Sequence, residues 1–153
     1  DYPEHEKFTH EGLTNALVYA LETAMLGTDP QFWYTGVVSA IENLTHEQAS
    51  RNLLPGYTTI AAHAEHVRVS LNYVRRTFAG ETLKVEWWPL QTVDAAQWEE
   101  LKKQLRAEYE ATTTFLKTKP FWREEGLTQM LDCIAHTAYH AGAIRQLAKG
   151  IVR

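Results

Sequence analysis

Four long stretches of this chain place apolar residues at i, i+3 and i+4, and no stretch reads clearly as strand. That pattern leaves few folds, because helices with one apolar stripe bury it against one another. The first stretch runs from about Thr9 to Met25, with Leu13, Ala16, Leu17, Ala20, Leu21 and Ala24 on its stripe. "GTDP" at 27–30 ends it, with Gly27 placed as the residue just past the helix, where glycine takes a left-handed conformation. The second stretch runs from about Thr59 to Phe78 and stops near Gly80. The third runs from about Asp94 to Lys117. The fourth runs from about Glu125 to Lys149, with Gly150 after it. The third stripe comprises Trp98, Leu101, Leu105, Tyr109, Thr112 and Leu116; Glu108 sits at its edge and reads as solvated. Thr45 with Gln48, and Asp94 with Gln97, have the spacing of capping pairs, and "LLPGYT" at 53–58 reads as a turn. The expectation is one all-α domain over residues 1–153, a four-helix bundle. More than thirty residues separate the first two long helices, too many for a tight hairpin. A crossover is expected there, so the topology departs from up-down-up-down.

Composition narrows the classes. Apolar residues at 44% and charged residues at 22% suit a folded domain and oppose disorder. A net charge of −4 and the absence of a basic stripe give no footprint for nucleic acid. No apolar run approaches the roughly 18 residues that a membrane span needs. The opening "DYPEHEKFTH" carries no signal-peptide pattern, and the single cysteine, Cys133, excludes an internal disulfide. A reducing, cytoplasmic setting is the expectation.

The fourth helical stretch contains "LDCIAHTAYHAGAIRQL", residues 131–147. His136 and His140 project about 40° apart, and Ala143 and Leu147 continue their stripe, so both rings face inward. Buried imidazoles need either hydrogen-bond partners or a shared cation. The second helix adds His63 and His66, about 60° apart, in "TTIAAHAEHVRVSLNYV". Three imidazoles from two helices form an open set that leaves a coordination position for water or substrate. Zinc, nickel, iron and copper all accept such ligands. Around this set, His63 reads as a fourth ligand or as a supporting groove residue. Cys133 reads as a ligand or as a small buried residue. Asp132 reads as an acceptor orienting His136 or as a surface carboxylate, and Tyr73 as a donor to substrate or as packing. Arg145 points about 180° from His136. His5, His10 and His46 read as surface residues. The aromatic stretches "QFWYTG" and "VEWWPL" read as pocket lining, as caps on the bundle ends, or as an apolar dimer patch. The chain has no HExxH, no paired Glu-x-x-His, no phosphate-binding glycine loop and no G-x-S-x-G.

"HTAYHAGAIRQ", the upstream "TIAAHAEHV" and the "EWWP…AAQWEELKKQLRAEYEA" segment together resemble the DinB/YfiT-like superfamily of metal-dependent proteins. The resemblance covers nearly the whole chain, in order. It implies an up-down-down-up four-helix bundle with a long first connection. It also implies a histidine triad, one ring from the second helix and two from the fourth. The helix 2 ligand follows the isoleucine by six, so His66, His136 and His140 carry the match. Ala143 stands where many relatives have a polar residue, and His63 where many have an apolar one. The resemblance implies one divalent transition metal, zinc or nickel foremost, in a homodimeric enzyme. Some relatives transfer or isomerise groups with low-molecular-weight thiols. The expected activity is accordingly that of a metal-dependent thiol transferase or hydrolase on a small-molecule substrate, without nucleic acid or membrane partners. The alternative is a non-catalytic structural or stress-related metal-binding dimer.

Overall fold

A computed structural model describes residues 9–28 and 30–152, so His5 lies outside the described residues. It contains six helices: α1 His10–Leu26, α2 Val37–Ile41, α3 His46–Ser50, α4 Ile60–Phe78, α5 Ala95–Thr118 and α6 Glu124–Ile151. No strand occurs among the described residues. Among the described residues, no helix is long and apolar enough to cross a membrane. The four long helices make their main contacts in a closed cycle: α1 with α5, α5 with α4, α4 with α6, and α6 with α1. Leu21 and Met25 from α1, Leu71 from α4, Leu105 and Leu116 from α5, and Ile144 from α6 fill the shared core. The short α2 buries Val37, Val38 and Ile41 and packs on α1, α5 and α6; α3 packs on α4.

Local signals account for where the helices begin. Thr9, Thr45, Thr59 and Asp94 each accept a hydrogen bond from a first-turn backbone N–H through their side-chain oxygens. At Thr45 and Asp94 the glutamine three residues on closes the reciprocal capping box, as its spacing predicts. α4 ends in a Schellman motif: Gly80 sits at φ 90°, its N–H bonds to Thr77 O, and the Glu81 N–H bonds to Arg76 O.

The other glycines serve a different purpose from the one expected. Gly27 has φ −53°, so it is not a left-handed cap. A Cβ there would lie 2.5 Å from Thr23 O and 2.6 Å from Tyr34 O. Glycine is needed for close approach, as the chain folds back and Gly36 N–H bonds to Gly27 O. Gly150 does not stop α6, which runs on to Ile151; its missing side chain leaves room for Leu53, whose Cδ1 would lie 2.9 Å from a Cβ. On α1 the buried face is centred on Thr14, Leu17, Leu21 and Ala24, which leaves Ala16 exposed.

Contacts between helix ends fix which ends lie together. Thr59, at the start of α4, donates to Gln91 O, and Val93 N–H donates to Ser50 Oγ just before α5 begins. Arg51 Nη1 donates to Ile151 O, bringing the end of α6 to the same region. At the opposite end, Gly126 of α6 lies against Phe78 of α4, and His10 of α1 bonds to Lys119 O beyond α5. The connection at 79–94 therefore returns along α4 before α5 starts.

Glu108 is not solvated. It is 7% exposed and accepts from Arg75 Nε and Nη2 and from Asn72 Nδ2 of α4. The two α4 partners explain a carboxylate inside the α4–α5 seam. Removing the guanidinium leaves it with one neutral donor. Arg75→Met is expected to lower stability by about 2 kcal/mol in denaturant unfolding. Arg106→Met, which breaks an exposed pair with Glu42, is expected to change it by less than about 0.5 kcal/mol. Equal effects would remove the α4–α5 ion pair from the account of the fold.

Candidate metal centre

α4 and α6 carry the site on facing stripes. His66, buried to 8% exposure, projects from the seventh residue of α4; His136 and the nearly fully buried His140 project from successive turns of α6. Their ring nitrogens converge, and all three rings offer one ligand atom within 4.8 Å of the others. His136 Nε2 lies 3.1 Å from His66 Nε2 and 3.0 Å from His140 Nε2. A tetrahedral ion with nitrogen arms of about 2.0 Å spaces its ligand nitrogens by about 3.3 Å, so the separations fit one first-row cation.

The proton inventory points the same way. His66 Nδ1 lies 2.6 Å from the Trp87 carbonyl, which can only accept, so Nδ1 carries the hydrogen and Nε2 keeps its lone pair. His140 Nδ1 lies 2.8 Å from His63 Nδ1, and one of the two must donate. Donation from His140 leaves its Nε2 bare as well. At least two lone pairs then meet at one point, where the only proton available is on His136 Nε2. Such a cluster suits a cation better than it suits itself. Burial and the charges of neighbouring rings favour the neutral, ligating form of His63, His136 and His140. Burial and then His136, His63 and His66 lower His140 to about 3. Burial and then His66 lower His63 to about 4, and the same two causes lower His136.

The loop at 79–94 finishes the centre. The Trp88 ring stacks on His66 at 3.9 Å with 2° between planes, and meets His63 and His140 edge-on at 5.8 Å. Trp87 supplies the carbonyl that fixes the His66 tautomer and packs its ring against Tyr73. These two tryptophans are site residues, a role the sequence leaves undecided between pocket and packing. The nearest signal was the loop's pair of adjacent indoles before a rigid proline.

The other candidates take distinct places. His63 turns Nδ1 to His140 and supports that ring. Cys133 is buried on the wall beside His136, outside the three-histidine cluster, and burial pushes its thiol up to about 12. It therefore stays protonated at neutral pH unless a cation displaces the proton. Asp132 is exposed and lines a cleft without a hydrogen bond to His136. Tyr73 lines the same cleft, of about 840 Å³, into which His66 and His136 face. His10 and His46 lie away from the centre, paired with Lys119 O and Glu47.

The architecture is thus an all-helical protein with a three-histidine centre that could hold a metal ion, open to a cleft between α4 and α6. The DinB superfamily profile matches residues 34–143, which span α2 to most of α6 and all three histidines. The chain belongs to the DinB superfamily. No curated protein and no solved structure matches it significantly.

Two outcomes follow. His63→Phe is expected to keep one metal per chain, with affinity weakened about 10- to 100-fold by competition titration. Loss of stoichiometric binding would instead make His63 a ligand. In the metal-free protein His140 and His63 have folded values below their ordinary 6.5, so the unfolded chain takes up protons first as pH falls. Their contribution is complete above about 6.5 and is lost towards 4 to 3. The metal-free Tm is expected to fall between pH 7 and pH 5, with a shallower fall in His63→Phe. Identical slopes in both proteins would show that His63 takes no part.

Proposed function

We propose that this protein is a metal-dependent enzyme that activates a thiol nucleophile at a three-histidine site. One observation carries the reading: three imidazole nitrogens converge at the wall of a large cleft, with no fourth protein donor in the cluster among the described residues. His66, His136 and His140 would hold one divalent ion, with zinc and nickel both suited to neutral imidazole. Such an ion supplies positive charge and an open position, which together acidify a thiol that reaches it. The chain's own residues then have separate tasks. The Trp87 carbonyl and His63 orient two of the rings, and Trp88 covers the His66 face and excludes water there. Tyr73 offers a hydroxyl along the cleft, while Ser70 donates its own to His66 O.

A closed structural centre would need a fourth donor. His63 is engaged with His140, and Cys133 lies outside the three-histidine cluster, which favours an open, catalytic centre over a structural one. Hydrolysis is the second reading, and Asp132 favours it. This exposed carboxylate, one turn before His136 on the cleft wall, could take a proton from water. We also read the long helices as up-down-down-up. The support is that α4 and α5 start at one end, where α6 finishes, while α1 and α6 start at the other.

The test begins with metal content of the untagged protein by mass spectrometry, for wild type and His136→Ala. About one transition metal per wild-type chain and a loss of at least 10-fold in the variant are expected. Equal, negligible metal in both would sink the proposal. Loaded wild type is then assayed with cysteine or glutathione and a set of electrophiles, beside ester and amide substrates. Turnover that requires the thiol and falls at least 100-fold in His136→Ala supports transfer. Thiol-independent turnover that falls in Asp132→Asn selects hydrolysis.

A further inference from the structure

The cleft runs well past the histidines, and its far end has a chemistry that the metal does not explain. Lys119 lies in the connection between α5 and α6 and lines this end. Its Nζ sits 5.1 Å from the Phe78 ring centroid, 5.2 Å from Phe115 and 5.1 Å from Trp122. Three rings therefore hold the ammonium in place. No carboxylate lies within ion-pair distance of it among the described residues, although Arg68, Arg75, Arg76, Lys102 and Arg106 all have one. Arg123, four residues on, lines the same end over Phe121, also without a carboxylate partner among the described residues. Two carboxylates share the cleft. Glu125 is exposed at this end, and Asp132 lies towards the histidines; neither pairs with Lys119 or Arg123.

The span between the two ends follows from helix geometry. Phe78, which touches Lys119, is twelve residues after His66 on α4, a rise of about 18 Å. Gly126, packed on Phe78, is ten residues before His136 on α6, a rise of about 15 Å. Tyr73, Val74 and Phe78 line the stretch between, together with the polar Ser70, Thr77 and Gln129.

We propose that the cleft takes an elongated organic anion, with its carboxylate at Lys119 and Arg123 and its reactive end about 15 Å away at the histidines. Lys119 is the specificity-determining residue for the anionic end. The proposal rests on the metal-centred reading for the reactive end only, and the cation end stands on its own geometry. A positioned cation with no carboxylate partner among the described residues, at the end of a cleft lined in part by apolar and aromatic side chains, selects a charged tail over a neutral one of the same length.

The probes are mercaptoundecanoate, the neutral mercaptoundecanol of equal chain length, and the short pair mercaptopropionate and mercaptopropanol, each titrated into Co(II)-loaded protein. The sulfur-to-cobalt charge-transfer band reports binding. Mercaptoundecanoate is expected to bind about 10-fold more tightly than mercaptoundecanol, and mercaptopropionate to show no such advantage over mercaptopropanol. Lys119→Met keeps an apolar stem against the rings and is expected to erase the preference, while Lys119→Arg restores it. Equal binding of the two long thiols, or a Lys119→Met loss shared by both, overturns the proposal and leaves the metal–thiol reading intact. A parallel calorimetric titration of metal-free protein with undecanoate separates the two ideas. Binding weakened about 10-fold by Lys119→Met supports the anion end even if no thiol perturbs the cobalt spectrum, an outcome that would sink the thiol reading alone. Binding unaffected by Lys119→Met counts against the anion end.

Discussion

Three imidazole nitrogens within 4.8 Å of one another, two of them about 3 Å from the third, are an unstable arrangement inside a helical bundle unless the rings are aimed and share their protons or a cation. The hydrogen bond from His66 Nδ1 to the Trp87 carbonyl is the fixed point. It decides the tautomer of His66 and therefore where that lone pair points. It also requires the 79–94 connection to run back along α4 rather than cross the bundle end. That return brings Trp88 onto His66 and Gln91 to the start of α4, so α5 begins beside α4's first turn. One second-sphere contact thus ties the centre to the chain path of half the molecule.

A comparable constraint operates at the α4–α5 seam, with the opposite chemistry. There Glu108 satisfies Arg75 and Asn72, and every charge has a counter-charge or a donor. At the histidine centre more ring lone pairs converge than there are protons to share among them. The first pattern is a structural answer to burying polar groups, because it closes on itself. The second stays open, and openness at a cleft is what distinguishes a site from a seam.

Periodicity made the four long helices legible, since stripes such as Leu101, Leu105, Thr112 and Leu116 bury as their spacing predicts. The caps at Thr45 and Asp94 were equally plain, because a capping box is a contact between residues three apart. Glu108 was misread because its partners come from another helix, and helical phase alone cannot supply a cross-helix guanidinium. Gly27 was misread for a related reason: a glycine can mark a left-handed turn or a close approach, and only the packed neighbour tells which. The i, i+4 spacing placed His136 and His140 side by side, but the pattern could not assign His63. Its role depends on a contact with His140 across 77 positions of sequence.

The same distinction bears on how the centre would work. A fourth ligand from His63 would have closed the coordination sphere and made the cation part of the fold. His63 Nδ1 is instead turned to His140, so this contact orders the second ring, and in the reading proposed above His63 leaves a coordination position open. A ring that orients another ring contributes affinity for a cation and leaves the cleft side free for a substrate. The tryptophans complete this asymmetry, since Trp88 covers the stacked face of His66 while His66 and His136 still line the cleft on the other side. Reactants would therefore approach from the cleft between α4 and α6, where Tyr73 and Asp132 are the nearest unpaired polar side chains. Chemistry at the centre is then directed by which side of three imidazoles the protein leaves uncovered.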